Sequence, residues 1–209
     1  AYIDTLNEAR KTLVEEATST LFPIAKDVKI QVEFNPATVA EYRLVGYETR
    51  MLAREDFDND KVDAGDVGSG QTVTALYEIV PGGGPRAIGD LRHSRPVART
   101  AADSSEYGFV KIRYKRPNSD RSQLISTPID RSAEVRTFAE APQDARFAAG
   151  VASFAELLRG GRYSGEMTWD DVLQIVSAAK GDDPYGYRSE FVQLVRAART
   201  ASAMARLGG

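Results

Sequence analysis

A run of aspartates lies just before a glycine-rich stretch, and these residue types are the ones in the sequence best suited to binding an ion. Asp56, Asp58, Asp60 and Asp63 lie in the segment DFDNDKVD, and GDVGSGQT follows at residues 65–72. Clustered carboxylates on a flexible backbone are the ligands that calcium prefers. Glycine-rich turns can bind phosphate through backbone N–H groups. The sequence therefore raises two hypotheses, a calcium loop and a nucleotide site.

The nucleotide hypothesis fails on the chemistry of the glycine-rich stretch. A phosphate-binding P-loop needs a lysine near its end and a helix directly after it. Gln71 stands at the lysine position, and the residues that follow alternate between polar and apolar as in a strand. The aspartates just before the stretch would also repel phosphate. The sequence therefore predicts that GDVGSGQT is a turn.

The calcium hypothesis fits the aspartates only in part. Asp56, Asp58 and Asp60 match the first three ligand positions of an EF-hand loop, but Lys61 replaces its glycine and Val67 replaces its bidentate glutamate. A calcium site of another kind, with Asp56, Asp58, Asp60 and Asp63 as ligands, stays open. The alternative is a solvated acidic loop whose aspartates cap turns.

Composition limits the other classes of function. The chain has 209 residues, a formal net charge of −3 and no cysteine. The charge offers no basic surface for nucleic acid, so we expect no nucleic-acid partner. The lack of cysteine excludes disulfides, thiolate metal sites and cysteine nucleophiles.

Catalytic groups are few. His93 is the single histidine and lies in a glycine- and proline-rich segment, which makes a Ser-His-Asp arrangement hard to assemble. We therefore expect a protein that is not an enzyme and has no catalytic residues, and no cofactor other than calcium at the acidic loop. A hydrolase with paired carboxylates is the third hypothesis, and it requires a cleft with converging acids.

Hydrophobic periodicity predicts an α+β fold. Apolar residues three and four apart, including Leu6 and Leu13, predict a helix at about residues 4–18. Strict alternation predicts strands in VKIQVEFNP and YGFVKIRYKRP, with Ile30 and Ile112 facing inward and Lys29 facing outward. Strand patterns with no helices between them predict an antiparallel, β-sandwich-like part. Further strands are predicted in AEYRLVGYETRML, TVTALYEIV and, more weakly, SQLISTPID and SAEVRTFAE.

After residue 140 the apolar spacing predicts a bundle of about three helices, the last of which has a buried stripe of Phe191, Leu194, Val195 and Ala198. Thr168 and Asp171 have the spacing of a capping box, and Asp183 with Pro184 is typical of a helix start. The predicted divisions of the chain are residues 1–25, a single helix, residues 26–140, a β-rich domain, and residues 141–209, a helical subdomain.

Several long strings give the chain a family resemblance, among them YIDTLNEARKTLVEE, IAKDVKIQVEFNP, FAAGVASFAELLR and DPYGYRSEFVQLV. With these strings the sequence resembles the C-terminal region of bacterial proteins that contain a von Willebrand factor type A (vWA) domain. The resemblance implies that residues 2–25 hold the last helix of the vWA domain. The metal-binding D-x-S-x-S motif of vWA domains does not occur here, so no metal-site residue carries over.

The resemblance also implies a setting and partners. It implies an extracytoplasmic location, periplasmic or at the cell surface, and a non-enzymatic scaffolding module that supports protein–protein or surface adhesion by its own upstream vWA domain. The partner's identity stays open. The amphipathic helix at the start of the chain presents Leu6 and Leu13, and we expect it to pack on the β-rich part or to form a homodimer through these residues. A calcium-stabilised structural module is the alternative function.

Overall fold

The computed structural model describes residues 6–13, 22–46, 56–59, 62, 64–84 and 105–207. Two compact units divide the chain. The β unit comprises Thr12–Glu134, and the helical unit comprises Ala1–Lys11 together with Val135–Gly209. The predicted α+β class with antiparallel sheets is confirmed. The predicted domain boundaries at residues 25 and 140 stay predictions.

The described residues of the β unit form six antiparallel strands in two sheets. The larger sheet has the order β3-β1-β5-β6, and the smaller sheet pairs β2 with β4. The strands are β1 (Pro23–Phe34), β2 (Val39–Val45), β3 (Gly65–Gly68), β4 (Leu76–Pro81), β5 (Glu106–Lys115) and β6 (Ser122–Asp130).

A β-bulge in β1 changes which side chains face inward. Lys26 is opposite Lys115 and Lys29 is opposite Arg113, so β1 advances three residues where β5 advances two. The extra residue coincides with Asp27, whose φ of 51° is left-handed. The predicted strand is confirmed, but the predicted facing of two residues is wrong: Lys29 is buried and Ile30 is 50% exposed.

Aromatic rings join the two sheets at one end of the larger sheet. The Phe34 ring centroid lies 4.6 Å from that of Tyr42 in β2 and 5.2 Å from that of Tyr77 in β4. Gly108 is opposite Phe34, and a Cβ there would come within 2.6 Å of the Glu33 carbonyl oxygen. Glycine at residue 108 therefore lets the two central strands approach where the sheets meet.

The helical unit has its own hydrophobic core. Its C-terminal helices are α2 (Gln143–Leu158), α3 (Trp169–Ala178) and α4 (Tyr187–Leu207). The buried core residues are Phe154, Val172, Val176, Val192 and Val195. The predicted capping box is confirmed, since Thr168 Oγ1 accepts from the Asp171 N–H and the Asp171 carboxylate accepts from the Thr168 N–H.

The start of α4 differs from the prediction at one residue. The Asp183 carboxylate accepts hydrogen bonds from the N–H groups of Arg188 and Ser189, as a helix cap does. Pro184, however, lies in the turn before the helix, which begins at Tyr187. The predicted position of Pro184 as the first helical residue is therefore wrong.

Two predicted strands are wrong in part or in whole. Residues 72–75 of TVTALYEIV are irregular, and β4 begins only at Leu76. SAEVRTFAE contains two short 3-10 helices, Arg131–Ala133 and Phe138–Glu140, in place of a strand. Both segments have mixed patterns that local alternation could not resolve.

The first helix, α1, is Leu6–Lys11, and residues 4, 5 and 14–18 of the predicted helix lie outside the described residues. Its Leu6 side chain is 85% exposed, and Leu13 just after it is 69% exposed. Both leucine side chains are therefore accessible to solvent. The homodimer through α1 and the assignment of α1 to a vWA domain stay predictions. No helix among the described residues is both long and apolar enough to span a membrane.

The close approach of α2 and α3 yields a prediction. A Cβ at Gly150 would lie 2.5 Å from Val176 Cγ1 and 3.1 Å from Ile175 Cγ2. Overpacking costs about 1–3 kcal/mol, whereas glycine to alanine within a helix gains about 1 kcal/mol. We expect Gly150→Ala to lower the free energy of unfolding by about 1 kcal/mol, measured by urea denaturation, because Val176 is fully buried and stiff. A more stable variant would contradict this packing.

Candidate functional site

The bulge of β1 creates a partly buried ionic cluster, which we define as Asp27, Lys29 and Lys115. Lys29 is the most deeply buried charged residue, at 2% exposure among the described residues. Its Nζ donates to the Asn59 carbonyl oxygen at 2.5 Å and lies 3.5 Å from Asp27 Oδ1. Lys115 Nζ lies 2.9 Å from Asp27 Oδ2. One carboxylate thus contacts two ammonium groups from two strands.

The charges of the cluster determine the protonation state of Asp27. Burial alone would raise the pKa of Asp27, but the hydrogen bond from Lys115 and the positive charges of Lys29 and Lys115 lower that pKa below its ordinary value of 3.8. The Asp27 N–H also donates to Asp66 Oδ1 at 3.1 Å. Asp27 is therefore an anion that ties β1 to β5 through its side chain and to the end of the acidic loop through its backbone.

The described part of the acidic loop lies against the basic side of the larger sheet. Asp58 Oδ1 lies 3.0 Å from Arg113 Nη1. Asp56 Oδ1 accepts a long hydrogen bond of 3.5 Å from Asn59 Nδ2, and Phe57 between these aspartates is buried. The described part of the loop is held in place by the buried Phe57 ring, by the ion pair of Asp58 with Arg113 and by the hydrogen bond from Lys29.

The predicted calcium ligands are only partly within the described residues. Asp56 and Asp58 are described, whereas Asp60 and Asp63 lie outside the described residues. In the described part of the chain, no three acidic or histidine side chains form a group that could hold a metal. Calcium binding through Asp58 would compete with the Arg113 guanidinium for this carboxylate. The calcium site stays a prediction.

The glycine-rich stretch forms strand β3 and a turn. Gln71 Oε1 accepts a hydrogen bond from the Gly68 N–H at 2.8 Å, and the Gln71 N–H donates to the Gly68 carbonyl oxygen at 3.1 Å. Gly70 has a φ of 78°, which the turn requires. The glutamine that replaces the P-loop lysine therefore closes the turn, and irregular chain follows it where a P-loop would have a helix.

The arrangement of the cluster favours a structural role. Each charge of the cluster faces an opposite charge or a carbonyl oxygen, which offsets part of the cost of removing it from water, although Asp27 Oδ1 has no hydrogen-bond partner among the described residues. Sequence reasoning missed all three residues, because the period-2 pattern placed Lys29 outside the sheet. A signal was present in Asp27, an aspartate inside a strand-forming stretch, where this residue type is disfavoured.

A concave surface lies on the helical unit. It is a shallow, open groove along α4, lined by Tyr187, Glu190, Phe191, Gln193, Leu194 and Ala197. Leu194 was predicted in the buried stripe of α4, but it is exposed. The α4 residues that are buried in the core are Val192 and Val195. The groove has one acidic side chain, so it lacks the converging acids that a hydrolase would need.

Comparison with known proteins places this α+β chain in a family. A family model described as "Uncharacterized protein YfbK, C-terminal" matches residues 19–201. The chain therefore belongs to this family of C-terminal domains. A relative, the Escherichia coli (strain K12) protein named "Uncharacterized protein YfbK", is 43% identical over 199 residues.

The lengths of the two proteins differ. The match covers 95% of this chain but only 34% of the relative, so the chain spans about a third of the length of the protein it matches. No solved structure matches the chain.

The ionic cluster predicts a dependence of stability on pH. Asp27→Asn keeps a residue that tolerates the left-handed backbone but removes the charge between two lysines. We expect the variant to lose about 2–4 kcal/mol of unfolding free energy at pH 7, because it leaves buried ammonium groups without their anion. The pKa of Asp27 is lower folded than unfolded. Its stabilising effect is therefore present above about pH 4 and is lost as the pH falls through the folded pKa.

Urea denaturation at pH 7, 5, 4 and 3 measures this effect, with Asp120→Asn as the matched control. Asp120 is exposed in the turn between β5 and β6, so its substitution should change stability by less than about 0.5 kcal/mol. The stability difference between wild type and Asp27→Asn should shrink below pH 4. An equal difference at pH 3 and pH 7 would show that the charge of Asp27 is not what stabilises the fold.

Proposed function

We propose that the chain is a non-enzymatic interaction module that follows a vWA domain in a longer protein and supports protein–protein contacts of that protein. The vWA domain and the extracytoplasmic setting in this proposal are inferred from the resemblance to vWA-domain proteins. The family description as a C-terminal domain, and a relative about three times as long as the match, are consistent with this arrangement.

The observation that carries the proposal is a row of isoleucines on the larger sheet that is exposed at both ends and half-buried at its centre. Ile30 is directly opposite Ile112, which is directly opposite Ile125, so the three side chains lie on one face of β1, β5 and β6. Ile30 is 50% exposed and Ile125 is 49% exposed. Exposed apolar residues that form a continuous patch mark interaction surfaces. We call these three residues the isoleucine row.

The ionic cluster supports the same role by fixing the strand that carries Ile30. Because the bulge at Asp27 directs Lys29 into the protein, the next side chain, Ile30, projects from the opposite face. A buried ionic group that stabilises one register of a sheet can hold a binding face without taking part in chemistry.

Affinity capture with paired variants tests the proposal. Ile30→Glu places a charge in the isoleucine row. Gln31→Glu places the same charge on the opposite face, directly opposite Lys111, where a carboxylate is tolerated. Each chain is used as bait in extracts of the organism that encodes it, with calcium or with a chelator, and bound proteins are quantified by mass spectrometry.

We expect at least one protein to bind the wild type and Gln31→Glu but to bind Ile30→Glu at least about 10-fold less, since burying an isoleucine is worth about 1.5–3 kcal/mol. Circular dichroism would verify that both variants are folded. Identical capture by all three chains would contradict a role of this face in binding. Capture that needs calcium would instead favour the calcium-stabilised module.

A further inference from the structure

The outer strand β6 lacks the protection that exposed sheet edges usually have. In the described part of the chain, β6 pairs with β5 on one side only. All residues of segment 124–128 are exposed. Natural edge strands are usually blocked by charged side chains, a proline or a covering element. The first eight residues of β6, SQLISTPI, contain no charge, and Pro128 is the single blocking residue.

β6 has one large exposed apolar side chain on each face of this edge. Ile125 ends the isoleucine row on one face, and Leu124 on the other face is 59% exposed. A strand added beside β6 would gain main-chain hydrogen bonds and would also contact both side chains. This is the geometry in which extended segments bind sheet edges. Because Pro128 has no N–H, such pairing would be confined to residues 122–127.

Within the described residues, the sheets of the β unit have little apolar cover. Among its described residues, the buried hydrophobic side chains are Val39 and Phe57. A sheet is stable when one of its faces is packed against another layer. The aromatic contact at Phe34 supplies such packing at one end of the larger sheet, but it leaves the isoleucine row exposed. The helical unit, by contrast, has a core of its own.

We propose that a β-strand from the part of the longer protein outside this chain adds to the edge of β6 and extends the larger sheet beside Ile125, at the end of the isoleucine row. The inference rests on the proposed function and names its partner as a segment of the same polypeptide. The family is described as a C-terminal domain, and two thirds of the relative lie outside the match. That part is long enough to contain such a strand. The added strand has an uncharged, apolar side chain beside Ile125.

Hydrogen–deuterium exchange tests the inference on three proteins: residues 1–209, the matching third of the Escherichia coli relative, and that relative at full length. We expect the amides of residues 122–127 that point away from β5, and their counterparts, to exchange at least about 100-fold more slowly in the full-length protein, because carbonyl oxygens of the added strand accept their hydrogen bonds. Residues 110–113 of the central strand β5 are the internal control and should exchange slowly in all three. Light scattering gives the mass of each sample.

Equal exchange of the β6 amides in the full-length relative and in its isolated third would overturn the inference. Slow exchange in residues 1–209 alone, together with a doubled mass, would also overturn it and identify a second copy as the strand donor. Either result leaves the affinity capture with Ile30→Glu unaffected. The failure of this inference is therefore distinguishable from the failure of the proposed function.

Discussion

The contact of the Asp27 carboxylate with two lysines is the interaction on which the β unit depends. Asp27 adopts a left-handed backbone inside a strand, which is unfavourable for a residue with a side chain. Lys29 and Lys115 compensate by binding its carboxylate from two strands. Burying charge costs several kcal/mol per ion unless the groups neutralise one another. The bulge and the ion pairs therefore stabilise each other.

Two features of the surface follow from this arrangement. Lys29 points inward and binds the Asn59 carbonyl oxygen, so the acidic loop is anchored to the sheet. Ile30, the next residue, points outward and begins the isoleucine row. The same bulge thus accounts for the position of the acidic loop and for the exposed apolar face. The acidic loop that suggested a metal site is, in its described part, bound to basic residues of the sheet.

The elements that depend on local pattern were predictable from the sequence. Alternation predicted β1 and β5, and the Thr168–Asp171 spacing predicted the capping box at the start of α3. The ionic cluster was not predictable, because Asp27 and Lys115 are far apart in sequence and one extra residue in a strand reverses every later facing. Exposed Leu194 was assigned to the core for a related reason: helical spacing shows which residues share a face, but not how wide the buried face is.

A double-mutant cycle between Asp27 and Lys115 tests the central claim most directly. Unfolding free energies are measured for the wild type, Asp27→Asn, Lys115→Met and the double variant at pH 7. Since the side chains are in direct contact and largely buried, we predict a coupling energy of about 1–3 kcal/mol. Single-variant effects that add to within about 0.3–0.5 kcal/mol would contradict the account, because the bulge would then be held without this ion pair.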